Sequence, residues 1–320
     1  MANGGIIGPV QTPVVTPAGS QSELITGITS PNPAFAVQPA TTVATVMVIA
    51  GGAAGGVGGG GAGGLRIVSS HPVPSSPFPI TIGAGGTRST PGAAPTAGPG
   101  NNTSFGSDTP LNATGGGGKI PGRTPGTPGG SGGGANSQPG TPHAGGLGNA
   151  GSYSPPEGND GGSSNVYNGS GGGGSAAAGN NITSWPGLGS TGGAGTNTAP
   201  TFGAAPQPYY PAKSPGPTNA YFAGGGGGGG TSNTPQGGTG GGGTGLSAPP
   251  ASFAGDGDTN SGSGGGGNYG LGANHVGNGG SGMVIVKELA VTIPESIAAS
   301  GVWTMQEVYG YRKSGDWLGA

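Results

Sequence analysis

The sequence predicts a mostly irregular, all-β-like fold: a bundle of polyglycine-II helices closed by a small β-sheet and followed by a short carboxy-terminal helix. Three observations predict it. Glycine makes up 85 of 320 residues and is gathered into about ten blocks. Two short β-branched stretches, Val43–Ile49 and Met283–Lys287, bracket those blocks. Beyond them, Ser300–Lys313 carries the residues that start and stop a helix.

The glycine blocks come first in the argument because they exclude ordinary elements. In Gly224–Gly230, seven glycines follow Tyr221-Phe222-Ala223 without interruption. Glycine loses more backbone freedom on ordering than any other residue and gives a core no side chain. Such a run is either a flexible linker or an extended left-handed helix with three residues per turn, here spanning roughly 22 Å. That helix has no internal hydrogen bonds, so buried runs need partners on neighbouring segments. Companion blocks at Gly51–Gly64, Gly115–Gly118, Gly129–Gly134, Gly145–Gly151, Gly171–Gly174, Gly192–Gly195, Gly237–Gly245, Gly264–Gly267 and Gly277–Gly282 supply candidates. Ser, Asn, Thr and Pro fill the spacers and favour turns. Spacer lengths vary and no strict Gly-X-Y repeat exists, which excludes a fixed-period solenoid and collagen.

The boundary strands come next. Val43–Ile49 is β-branched and short, and Met283–Lys287 matches it at the far end. The expectation is one small sheet joining the two ends of the glycine region. Between them, Phe78, Ile80 and Ile82 alternate after Leu65–Val68, giving one apolar face to a hairpin-like region. Residues 1–42 are punctuated by proline and read as an extended arm. Residues 43–287 form the glycine-rich domain, and 288–320 a docking segment. In that segment Thr304 and Glu307 fit a capping box, with Arg312 and Lys313 in the last turn and Gly315 as C-cap.

Composition excludes several function classes. Charged residues are 6% of the chain and the net charge is −2, so a basic nucleic-acid surface is not expected. Without cysteine there is no disulfide framework or thiolate metal site. The start Met1-Ala2-Asn3-Gly4-Gly5 lacks the regions of a signal peptide, and no apolar stretch approaches a membrane span. Synthesis in a cytoplasm, without membrane insertion, is the expectation.

Several segments together resemble a family. They are Val46-Met47-Val48-Ile49-Ala50-Gly51-Gly52, Ile80-Thr81-Ile82-Gly83-Ala84-Gly85-Gly86, Asn101–Gly106, Ala113–Gly118 and Gly279–Val286. Their pattern resembles the glycine-rich domain of bacteriophage fibre proteins over about residues 43–287. The tail Ser300–Trp317 is similar to a Gly-Val-Trp-Ser/Thr-Leu-x-Glu motif of phage structural proteins, with Met305 in place of leucine. The resemblance implies a virion fibre or tail adhesin made in the host cytoplasm and assembled with other virion proteins, its loops contacting a host glycan or outer-membrane protein. Oligomeric assembly in the particle is expected. The distal adhesins of T-even-like tail fibres also carry a long attachment and self-cleavage region, and this chain lacks it. The alternative is a capsid or tail decoration fibre without receptor recognition.

No catalytic set, metal site or cofactor is expected. His71, His143 and His275 stand far apart and read as loop histidines. Gly255-Asp256-Gly257-Asp258 suggests a calcium turn, but Gly267 stands where an EF-hand needs Glu. Matches to Gly-x-Gly-x-x-Gly, such as Gly59, Gly61 and Gly64, arise by chance at this glycine content. A polysaccharide depolymerase would want paired carboxylates in a cleft, and only Glu157 and Asp160 lie close together in a loop. The aromatics say more. Tyr209, Tyr210, Tyr221 and Phe222 crowd the proline-rich spacer Thr201–Ala223, while Tyr153, Tyr167 and Trp185 sit in two others. Flat rings cover sugar C–H faces and phenol hydroxyls bond sugar hydroxyls, so these seven are receptor-contact candidates. The competing reading has them plug loop ends against the glycine segments. Trp303, Met305, Tyr309 and Trp317 are the candidates for docking on the particle.

Overall fold

The computed structural model describes residues 14–16, 19–73, 77–88, 98–106, 110–118, 122–183, 188–210, 220–232, 234–247, 253–269, 275–293 and 296–298. The chain divides into two compact units. One comprises Met1–Glu23, Gln38–Ala40 and Leu289–Ala320; the other comprises Leu24–Val37 and Thr41–Glu288. In chain order the strands are β1 (Val14–Thr16), β2 (Gly19–Gln21), β3 (Leu24–Ile28), β4 (Asn32–Phe35), β5 (Val43–Ile49), β6 (Leu65–Pro72), β7 (Phe78–Thr81), β8 (Thr103–Phe105) and β9 (Leu111–Ala113). After them come β10 (Thr196–Asn197), α1 (Ala199–Phe202), β11 (Tyr221–Phe222), β12 (Met283–Glu288), β13 (Val291–Ile293) and β14 (Ser296–Ala298).

The smaller unit holds two antiparallel pairs, β1 with β14 and β13 with β2. The larger unit holds two four-stranded antiparallel sheets, ordered β3-β12-β5-β6 and β4-β7-β8-β9, and the short pair β10-β11. Strands β5 and β12 are adjacent and paired from Met283↔Ile49 to Glu288↔Ala44, so the two ends of the glycine-rich stretch meet in one sheet. Strand β3 lies on the far side of β12, drawing part of the proline-rich amino-terminal stretch into that sheet. Strands β6 and β7 do not form one hairpin. Each joins a different sheet.

This architecture corrects the expected one. The regular structure is antiparallel β-sheet, not a polyglycine-II bundle closed by one small sheet, and the helix among the described residues is the single turn Ala199–Phe202. The physical reason is where the side chains are. β-Branched and aromatic residues supply surfaces that two sheets can bury against each other, and glycine supplies none. The expected helix at Ser300–Lys313 lies outside the described residues.

Side-chain alternation builds the cores. Along β5, Val46 and Val48 face the second sheet and pack with Phe35, Phe78, Ile80, Phe105 and Leu111. Met47 and Ile49 point the other way and pack with Leu65, Phe202, Phe222, Met283 and Ile285. Val284 and Val286 of β12 repeat the split, so both central strands are buried on both faces. A strand covered on two sides reads as a continuous apolar run, as Val46-Met47-Val48-Ile49 does.

The glycine segments run beside these sheets as extended connections. Successive amides leave in different directions. From Gly225 to Gly230 the acceptors are Gly193, Gly60, Gly243, Ser190, Val57 and Leu246, so amides three residues apart reach the same neighbouring segment. Gly59 to Gly64 behave likewise, donating to Ser170, Gly265, Gly117, Gly173, Gly262 and Thr114. Gly224–Gly230 is buried throughout and also accepts from Gly264, Gly172, Gly267 and Gly169. At Gly226 an added Cβ would stand on the Gly265 carbonyl, inside any real contact.

Two predictions follow from packing and charge. Gly226→Ala should lower unfolding free energy by about 1–3 kcal/mol, because neither backbone can retreat without breaking its hydrogen bonds, and denaturant unfolding measures this. The second concerns His71 on β6, whose ring lies edge-on to Phe105 at 5.5 Å. Burial, then the nearby Arg66 charge, holds its pKa below the ordinary value of 6.5. The folded state therefore disfavours the protonated ring. That contribution to stability is present above about pH 6.5 and is lost as pH falls through the lowered value. Melting temperature should drop on acidification through this window, and in His71→Asn that component of the drop should vanish.

Candidate functional site

The described part of the proline-rich spacer, residues 201–210 and 220–223, packs inward. Tyr209 and Tyr210 follow α1 as an edge-to-face pair with centroids 5.0 Å apart, and Tyr210 lies 5.5 Å from Phe222. Both are half-buried against the core of Met47, Ile49, Phe202 and Phe222. The Tyr210 hydroxyl donates to the Gly203 carbonyl at 2.8 Å, and the Tyr209 hydroxyl donates to the Phe202 carbonyl. Burial raises the Tyr210 pKa above 10, only partly offset by its bond with Thr198. Phe222 is fully buried, and its neighbour Tyr221 is half-buried on β11. The structure thus gathers three of the candidate aromatics, Tyr209, Tyr210 and Phe222, into one cluster that closes the second core. Tyr210→Phe removes a buried hydroxyl bond and should cost about 1 kcal/mol, read from chemical denaturation.

Tyr153 and Tyr167 stand elsewhere, each under a guanidinium. Arg66 lies 3.9 Å above the Tyr153 ring and Arg123 4.8 Å above that of Tyr167. A third stack sets Arg88 4.3 Å above Phe253, a ring that lies parallel to His275. Such stacks hold a planar cation in one orientation. They differ in what else binds the arginine. Arg66 donates to the Asn112 carbonyl at 2.8 Å. Arg88 pairs with Asp256 at 3.5 Å and donates to Val276 O. Among the described residues, Arg123 has neither carboxylate nor carbonyl partner.

Arg123 also lines a groove of about 390 Å³ with Gly122, Gln138, Thr141 and His143. One Pro-Gly step and a second glycine at positive φ lie on its wall. Gln138-Pro139-Gly140-Thr141 closes a turn in which Thr141 N donates to Gln138 O at 3.1 Å and Gly140 takes φ +81°, as a type II turn requires. Gly122, before Arg123, takes φ +90°. At the far wall, His143 exchanges backbone hydrogen bonds with Ser164, at 2.7 and 2.9 Å. The Ser164 hydroxyl in turn donates to Val166 O and Asn168 O, which fixes the loop carrying Tyr167. His143 Nδ1 contacts the Asn136 carbonyl at 2.9 Å. A carbonyl only accepts, so Nδ1 carries the proton and Nε2 is the free nitrogen of the neutral ring. The volume falls within the range of small-ligand sites, although the rim is exposed and polar.

The sequence reading named Tyr167 but missed Arg123, Gln138 and Thr141, and set His143 aside as a loop residue. The Gln138-Pro139-Gly140-Thr141 stretch carries the available signal, a Pro-Gly turn flanked by polar side chains. Trp185, Trp303, Met305, Tyr309 and Trp317 lie outside the described residues. Three acidic residues, Glu157, Asp160 and Asp256, accept from backbone amides. Glu157 is fully buried, and its carboxylate accepts from Thr114 N at 2.8 Å and Gly151 N at 3.2 Å. Asp160 accepts from Gly148 N and Asp256 from Asn278 N, both at 2.7 Å. Glu157 is buried while Asp160 is exposed, so the two carboxylates do not line one open cleft. Among the described residues, no three His, Asp or Glu side chains converge as metal ligands.

Comparison with known proteins adds one finding. A family model described as a glycine-rich domain matches residues 29–288. It spans both four-stranded sheets except for β3, which ends at Ile28. Comparison with curated proteins gives no match.

Proposed function

The chain belongs to the glycine-rich domain family, and on that premise we propose that it is a bacteriophage fibre or tail adhesin that helps a virion attach to its host. The observation that carries this reading is the network of buried amides around Gly224–Gly230, bonded in turn to several neighbouring segments. Backbone held this way resists bending, which suits a scaffold that presents loops outside the cell. The polar groove beside Tyr167 offers a contact surface, and the loop residues around it differ from the glycine segments in carrying side chains. The resemblance of Ser300–Trp317 to phage structural proteins supports docking on other virion proteins through Trp303, Met305, Tyr309 and Trp317. A host glycan or outer-membrane protein is the partner at the other end, and no chemical step is involved.

Labelled-antibody electron microscopy of particles carrying the chain, combined with adsorption in the presence of purified protein, tests the proposal. Label at the tail fibre and a several-fold slower adsorption are expected. Label on the capsid with unchanged adsorption would replace the adhesin reading with a decoration fibre.

A further inference from the structure

We propose that the groove between Gly122 and His143 binds the carboxylate of an acidic saccharide, with Arg123 as the anion-binding residue. The inference deepens the attachment reading and rests on it for the choice of a saccharide. Three observations carry it. First, of the three arginines stacked on aromatic rings, Arg66 and Arg88 already donate to protein oxygens, whereas Arg123 has no such acceptor among the described residues. A guanidinium carries five N–H donors in a planar fork that matches a carboxylate. Resting on Tyr167, it is oriented before any ligand arrives.

Second, the rest of the lining suits hydroxyl groups. Gln138, Thr141 and His143 line the groove, and no hydrogen bond among the described residues uses the Gln138 amide, the Thr141 hydroxyl or His143 Nε2. Together they offer donors and acceptors in a space of about 390 Å³, enough for one or two sugar rings. Among the described residues, the side chains that line the groove are those of Arg123, Gln138, Thr141 and His143, all polar.

Third, the walls are fixed by backbone bonds rather than by side-chain packing. The 138–141 turn and the His143–Ser164 exchange hold Gln138, Thr141 and His143 without help from a ligand. Changing an exposed side chain on them leaves that frame intact, and Arg123 is exposed.

The test uses the full chain and isothermal titration with three probes: trigalacturonate, the neutral galactose trisaccharide, and inorganic phosphate. Native protein should bind trigalacturonate at least tenfold more tightly than the neutral trisaccharide. Affinity should weaken as salt rises, and Arg123→Gln should lose at least tenfold without a shift in melting temperature. Arg123→Lys, which keeps charge but not the fork, should recover only part of the binding. Equal binding of acidic and neutral sugars, no binding of either, or an unaffected Arg123→Gln variant would overturn the proposal. Tighter binding of phosphate than of trigalacturonate would overturn the carboxylate assignment. Adsorption assays with Arg123→Gln separate the two readings. If the variant fails to bind trigalacturonate yet blocks adsorption like native protein, the site stands and its part in attachment falls. If the native protein does not affect adsorption while trigalacturonate binds as expected, the attachment reading alone fails.

Discussion

A buried amide must find a carbonyl, and in the larger unit most of the buried backbone belongs to glycine, which brings no side chain to satisfy or shield it. The chain meets that demand by setting glycine segments against one another. Gly226 donates to Gly60 while Gly60 donates to Gly265, and Gly172 donates back to Gly226. Such an arrangement works only where nothing stands between the backbones. An added Cβ at Gly60, Gly172 or Gly264 would stand on a neighbouring carbonyl, as at Gly226. The glycine content is therefore a packing requirement, and the entropy lost in ordering it is offset by hydrogen bonds shielded from water.

The sheets solve a different problem. A network of glycine backbones has little apolar area to bury, so the hydrophobic driving force has to come from elsewhere. It comes from strands at both ends of the glycine region. Because β5 and β12 pair along their length, the first and last strands of the region share one sheet. Phe35, Phe78, Ile80 and Phe105 cover one face; Phe202, Phe222 and the tyrosines after α1 cover the other. The aromatics of the proline-rich spacer are part of this closure, with phenol hydroxyls bonded to chain carbonyls. The loops around Arg123 carry polar groups that this frame does not use.

Some of this was legible in residue order. The run Val43–Ile49 marks a strand, and its counterpart at Met283–Lys287 marks the other side of the same sheet, because both are short, β-branched and adjacent to glycine. The alternation of Phe78, Ile80 and Ile82 likewise names a buried face. Other features were not legible. The second four-stranded sheet uses β8 and β9, each three residues long, and three residues carry no periodicity to detect. The inward turn of Tyr209 and Tyr210 depends on Phe202 and Phe222 lying beside them, which composition does not reveal. Arg123 looks like any loop cation until Tyr167, 44 positions later, is found beneath it.

The sequence by itself determined that glycine would dominate the buried backbone, that two β-branched strands would bracket it, and that the Ser, Asn, Thr and Pro of the spacers would favour turns. Those follow from local chemistry: backbone freedom, β-branching and ring geometry act within a few residues. Only the tertiary structure decided that antiparallel sheets would carry the regular architecture, that the aromatic spacer would close a core, and that an arginine and a distant tyrosine would frame a groove. These depend on which segments become neighbours. Segments of near-identical glycine composition offer almost the same local signal wherever they occur, so their pairing is settled by long-range packing and by the need of each buried amide for an acceptor.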